Sequence, residues 1–481
     1  MAAPILDDLK TTLPGSGRLG RVLLVAAICL GIFQTAQLFW FINRYAVDVP
    51  YWDQWDYYNA FFTPHTLWQI FAWQHGPHRQ GIGFFLTWMV NELTDWNQRA
   101  QCFTIGLVML SASLAALWLK RRLFGSLNWY DLIPVFFILS LGQWELYVST
   151  PNVSHGALPL LLIVLSGLAW TLGNVYLRYG LVLILGFLAT YTGFGMFVGM
   201  VNLLLLTGDI YQAARQHSRG RLLTASIALA LAASSLASFY IGYRFAPAVP
   251  NFTFPDPNWP LYPAFMSLQF AGLFGVLGSG LGPITVGFVI MAGLLAILAL
   301  SGAKLLRVPS QDPPARVIFF LLTFAFAFSA NAAIGRLCQG LGTAASSRYY
   351  PLLVPAGLGL YFALLTRPAG GTRDTLILLL LLTTMFAAMP VRQRPTIEAI
   401  FHGKTRWVAA YLETQKVAAA NAKAGSKVYP LESKQFRVRL AWLRAHHYSL
   451  FRDAAIAPLP ATVGPATAPA TAPAASGSIG A

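Results

Sequence analysis

The chain has 481 residues, 56% of them hydrophobic and 10% charged, with 33 Lys and Arg against 17 Asp and Glu for a net charge of +16. Apolar runs recur along most of its length, which excludes a soluble globular class and points to a polytopic membrane protein. In such a chain a positive balance reflects cytoplasmic Lys and Arg and not a nucleic-acid partner. The three cysteines, Cys29, Cys102 and Cys338, lack zinc-ligand spacing.

The first apolar segment, roughly 22–42, is long enough to cross a bilayer and reads as an uncleaved anchor behind the basic flank of Lys10, Arg18 and Arg21. Further spans are expected at roughly 102–119, 131–148, 155–172, 180–191, 194–208, 222–243, 284–301, 317–335, 351–366 and 374–390. The predicted fold is an all-α integral membrane protein with about 11 transmembrane helices over residues 1–390. The fifth and sixth spans are short and flank Thr190-Tyr-Thr-Gly-Phe-Gly195, as half-helices or a tight hairpin. The apolar stretch 262–280 is expected to lie in the interface or re-enter, since a crossing there would put Lys304, Arg307 and Arg316 outside.

With the N-terminus inside, the cytoplasmic segments hold 15 of the 33 Lys and Arg. The outer loops hold six: Arg44, Arg79, Arg99, Arg244, Arg336 and Arg348. The first outer loop, 43–101, is expected to carry an interfacial helix over His65–Gln74, with Leu67, Trp68, Phe71 and Ala72 on one face. A second apolar stretch, Ile82–Leu93, follows the turn signal Gly76-Pro77. Beyond residue 390 the other 12 basic residues lie in a tail that the odd span count places outside. Its first part, 391–453, is expected to form a small ordered extramembrane unit with an amphipathic helix through Ile400, Phe401, Val408, Tyr411 and Leu412. Residues 454–481, mostly Ala, Pro, Thr, Gly and Ser, are expected to be disordered.

Three groups of residues carry chemistry. Asp48, Asp53 and Asp56 stand within nine residues among Tyr51, Trp52, Trp55, Tyr57 and Tyr58, at the exit of the first span. A carboxylate partly desolvated there can act as a general base; the bland alternative is a solvated loop acid. His75-Gly-Pro-His78-Arg79 combines imidazoles with a guanidinium, a set suited to a phosphate or, with nearby Asp, a divalent cation; the alternative is interfacial anchoring. Gly335-Arg336 and Ser346-Ser347-Arg348-Tyr349-Tyr350 share one outer loop, where arginine pairs with phosphate and tyrosine packs on a lipid chain, against plain headgroup snorkelling. Glu145, Asn152 and His155 are further pocket candidates near the outer end of the third span. Cys102 and Cys338 both fall near the outer face and are candidates for pairing. Asn152-Val-Ser and Asn251-Phe-Thr match glycosylation sequons.

An anchor followed at once by an acidic outer loop with interfacial helices resembles the GT-C superfamily of membrane glycosyltransferases, which includes protein O-mannosyltransferases and lipid A aminoarabinose transferases. Those families often carry an Asp-Glu or Asp-x-Asp pair in that loop, whereas this chain has Asp48-x4-Asp53-x2-Asp56. The Pro-Tyr-Trp-Asp-Gln-Trp and His-Arg elements, with Val428-Tyr-Pro430 and Tyr448-Ser-Leu-Phe451, are similar to those of bacterial GT-C-like proteins. The resemblance implies a bacterial inner-membrane enzyme, N-terminus cytoplasmic and C-terminus periplasmic. It would move a sugar from polyprenyl phosphate to a lipid, glycan or protein acceptor on the periplasmic face. Asp48 or Asp53 would be the catalytic acid residue, Arg79, Arg336 and Arg348 would stabilise the leaving phosphate, and a divalent cation, Mg or Mn, is an open option. An O-antigen polymerase or ligase would rely on arginines in large outer loops, and Arg336 and Arg348 fit that rival. A lipid-linked sugar transporter or flippase would place charges near the bilayer midplane. A non-catalytic scaffold has only the tail in its favour.

Overall fold

The computed structural model describes residues 18–247, 249, 252–307 and 312–452. Among these, seven helical runs are long and apolar enough to cross a membrane. They correspond to α1 (Arg18–Tyr45), α5 (Gln98–Phe124), α9 (Met196–Arg215), α10 (Arg219–Ser238), α12 (Leu281–Arg307), α13 (Pro313–Arg336) and α15 (Gly371–Ala387), the last two runs continuing past the helix ends to Gln339 and Thr414. Shorter apolar helices fill the bundle between them: α7 (Ala157–Trp170), α8 (Val175–Thr190) and α14 (Tyr350–Leu365). At a rise of about 1.5 Å per residue these three fall short of the roughly 30 Å hydrocarbon layer. The count of 11 therefore does not follow from helix length alone.

Two predicted elements come out differently. The span expected over 131–148 is broken into α6 (Leu132–Ile138), a 3-10 turn at Leu141–Gln143 and a single π-turn at Glu145–Ser149. The break is held from outside the segment. Leu141 N donates to Ala388 O, and Gly142 lies so close to the Ala387 carbonyl that a Cβ there would stand 2.8 Å from it. The first outer loop differs too. Its interfacial helix shrinks to α3 (Leu67–Phe71), started by a reciprocal cap between Thr66 and Gln69. The chain then turns at Gly76-Pro77 into a two-residue hairpin, β1 (Gln74–His75) and β2 (His78–Arg79), before α4 (Gly81–Leu93). A one-turn helix, α2 (Gln54–Tyr57), precedes it.

In place of the expected half-helices or tight hairpin, α8 (Val175–Thr190) and the 20-residue α9 are joined by a turn at 191–195, so both elements are longer than expected. The stretch 262–280 forms α11 (Tyr262–Leu273), too short to cross, crossed so closely by α12 that a Cβ on Gly287 would overlap Ser267 O. All three cysteines are free thiols, so Cys102 and Cys338 are not paired. The expected disorder at 454–481 and the second sequon, at Asn251, lie outside the described residues.

The tail forms α16 (Arg394–Thr414), α17 (Val417–Ala424) and α18 (Lys434–Ala445). It does not build a core of its own. Trp407, Tyr429, Phe436, Leu440 and Phe451 share one hydrophobic cluster with Trp55, Tyr58, Phe61 and Trp96 of the first loop. Trp55 meets Phe436 edge-on at 4.9 Å, and Trp52 N donates to Val428 O. The first loop and the tail thus cap the same end of the bundle. At the other end, buried ion pairs tie helices together: Lys120 with Asp131, and Arg316 with Asp209. Each acid also accepts from a tyrosine, Tyr361 and Tyr179 respectively. A charge so far from water is tolerated because its partner and its remaining hydrogen bonds are supplied on the spot.

Candidate functional site

The three acids of the first loop have three different fates. Asp48 Oδ1 accepts from Gln98 N at 2.8 Å and from Ser449 Oγ at 3.2 Å, so its carboxylate sits at the start of α5 and binds the tail to it. A negative charge there also meets the positive end of a 27-residue helix. Asp56 accepts from Tyr429 Oη at 3.0 Å and from Arg439 Nη1 at 3.1 Å, and so fastens α18. Burial first, then Asp56, pushes the Tyr429 hydroxyl up to about 12, which keeps it a donor. Asp53 alone is exposed, and it lines a cleft.

That cleft encloses about 440 Å³, solvent-open mouth included, and is lined by Asp53, Gln54 and Tyr57 of the loop, Glu145 of the π-turn, Thr150, Asn152 and His155 of the turn that follows it, and Arg348. Glu145 opens the π-turn, and its Oε2 accepts from Ser346 Oγ, Ser347 Oγ and Arg348 N at 2.8–3.1 Å. These bonds dock the 346–349 turn against the π-turn and put the Arg348 side chain in the cleft. Single π-turns recur at functional sites because the extra residue redirects side chains out of the helical ladder. Arg348 keeps solvent contact while protein surrounds it, as expected of a cavity wall. Burial works against its charge, but Tyr349, Glu145 and Asp53 outweigh that and hold its pKa above the ordinary arginine value. Tyr349 is itself buried, with Arg348 5.7 Å over its ring.

Behind the cleft stand three imidazoles. The hairpin register pairs His75 with His78, and His155 lies 6.0 Å and 5.4 Å from their ring centres. Burial lowers the pKa of all three, with Asp53 and Asp56 partly opposing it at His75. His78 falls to about 3, with Arg336 adding to the effect of burial. The 191–195 turn closes over them: Gly193 N donates to Ser154 O, and a Cβ on Gly193 would come within 2.7 Å of the His155 ring.

Arg79 is not part of this group. Its guanidinium is spent on the carbonyls of Ala72, Phe239 and Ile241, which fasten the first loop to the end of α10. Arg336 lies near enough to depress His78 and His155, and it donates to Gln339 at 3.4 Å. Among the described residues no three or more His, Cys, Asp or Glu are placed to hold a metal ion. Of the carboxylates that an optional Mg or Mn could use, Asp48, Asp56 and one oxygen of Glu145 already accept from protein donors.

Sequence reading missed Gln54, Tyr57, Gln80 and Lys404. Lys404, on α16, is buried and donates to Val148 O at 2.9 Å and Ser149 O at 2.7 Å, satisfying the end of the π-turn. Its ammonium also lies 4.6 Å over the Tyr51 ring. The available signal was a lone lysine among apolar residues on a helix face. Its partners, more than 250 positions away, gave none. No protein-family model, no curated protein and no solved structure matches the chain.

Proposed function

We propose that the protein is a membrane glycosyltransferase that moves a sugar from a polyprenyl-phosphate donor to a hydroxyl acceptor at the capped end of the bundle, with Asp53 as general base. The observation that carries the reading is the convergence of Asp53 and Arg348 on one solvent-reached cleft. A free carboxylate and a permanent cation are the two charges such a transfer needs. Asp53 takes the acceptor proton as the hydroxyl oxygen bonds to the anomeric carbon. The bond from that carbon to the phosphate oxygen breaks, and the phosphate keeps the electron pair. Arg348, with Arg336 close by, stabilises the charge that appears there. The acceptor class extends to lipid, glycan or protein.

The proposed topology is 11 crossings of a bacterial inner membrane, N-terminus inside, with the cap periplasmic. The first loop and the tail share a core, so an even number of crossings must separate them. Ten crossings between α1 and the tail satisfy this, and a crossing at α11 would violate it. The charges of the cleft gather at one end of the bundle, which favours a surface reaction over transport through the midplane.

The test is transfer of radiolabelled sugar from a synthetic polyprenyl-phosphate donor to the protein's native membrane fraction. Wild type should transfer and Asp53→Asn should not. Full activity in the folded Asp53→Asn variant would remove Asp53 from the mechanism.

A further inference from the structure

Gln80 follows the hairpin at zero exposure, and its side-chain amide meets the His155 ring and the His78 carbonyl. Its Nε2 lies 3.0 Å from His155 Nε2, while its Oε1 is buried with no hydrogen-bond partner. An orphaned buried acceptor is costly and marks a place where a ligand or water completes the network. His75, His78 and His155 each keep some solvent-accessible surface, and His155 also lines the cleft. Phe194 packs 4.2 Å from the His78 ring, and Tyr57 packs 5.9 Å from His75.

We propose that His75, His78, His155 and Gln80 form an uncharged subsite beside the Asp53–Arg348 cleft that takes a neutral, hydroxyl-rich ligand, a sugar or polyol. A neutral imidazole offers one donor and one acceptor, and a primary amide offers both, as a hydroxyl group does. Aromatic faces at the edge suit the C–H surfaces of a sugar ring. An anion would go to Arg336 and Arg348, which already carry the charge it needs. A divalent cation lacks a donor set among the described residues. As the acceptor subsite of a transferase this assignment rests on the reading above; as a neutral-ligand subsite it stands on these side chains alone.

The experiment uses full-length protein in nanodiscs and saturation-transfer NMR with two probes, a panel of methyl glycosides and farnesyl phosphate. Wild type should bind at least one glycoside in the millimolar range. His155→Phe and Gln80→Leu should each weaken that binding about tenfold, the worth of one well-made hydrogen bond, and Gln80→Leu should leave farnesyl phosphate unaffected. Arg348→Gln should do the reverse. His402→Gln, at an exposed histidine on α16 outside the subsite, should retain glycoside binding and serves as a folded control. No glycoside binding by wild type, or equal binding by His155→Phe and Gln80→Leu, overturns the subsite. Loss of farnesyl phosphate binding alone in wild type would sink the lipid-phosphate donor and leave the subsite standing.

Discussion

Asp56 and Arg439 make an asymmetric pair, and the asymmetry predicts which substitution loosens the cap. The Arg439 side chain is 4% exposed and the Asp56 side chain 43%. Arg439 also donates to Asn59 Oδ1, while its Nε is buried without a partner. Asp56→Asn keeps the shape but leaves a buried guanidinium without its counter-charge. Breaking a fully buried pair in that way costs roughly 3–5 kcal/mol, and the half-exposed carboxylate lowers the figure to roughly 1–3 kcal/mol. Arg439→Met leaves instead a carboxylate that already reaches water and still accepts from Tyr429, so its electrostatic cost is below about 1 kcal/mol. Hydrogen exchange read by mass spectrometry on the full-length protein reports opening of α18 directly. Asp56→Asn should speed exchange across 434–445 by about fivefold to 150-fold, and Arg439→Met by less than about fivefold. Equal loosening by the two variants, or unchanged exchange in Asp56→Asn, would refute the reasoning.

Asp48 and Asp53 should separate cleanly. Asp53→Asn should lower transfer by about 10²–10⁴-fold at unchanged melting temperature. Asp48→Ala should cost about 0.5–2 kcal/mol of stability through the start of α5 and leave transfer nearly intact. Lys404→Met should orphan two buried carbonyls, at about 1–3 kcal/mol each, and raise exchange at 145–150. Unchanged protection there would mean that Lys404 does not hold the π-turn. His78 gives a pH dependence. Its folded pKa of about 3 lies below the unfolded value near 6.5, so only the unfolded chain takes up this proton as pH falls through 6.5. Stability should be independent of this group above pH 6.5 and fall below it, by about 1.4 kcal/mol at pH 5.5. His78→Gln should lose correspondingly less on acidification in a melting experiment, and equal losses would contradict the assignment.

Part of the cleft was legible in the chain. Arg348 stands out as one of only six arginines in the predicted outer loops, and Asp53 as an acid among aromatics. Periodicity could not tell Asp53 from Asp48 and Asp56. All three look alike locally, and their fates are decided by Gln98, Ser449, Tyr429 and Arg439, which come from other parts of the chain. The histidines were legible as a group of two, His75 and His78. His155 joined them only because a hairpin and the 191–195 turn close on the same point.

The sequence by itself determined that this is a helical membrane protein and roughly where its apolar segments lie. Those properties depend on composition and local hydropathy, which each segment carries alone. Only the tertiary structure decided that the 131–148 segment breaks into a π-turn, because the groups that stabilise the break, Ala387, Ala388 and Lys404, lie some 250 residues downstream. It likewise decided that first loop and tail are one cap. An exposed aromatic face in either segment is uninformative until the other is seen to cover it.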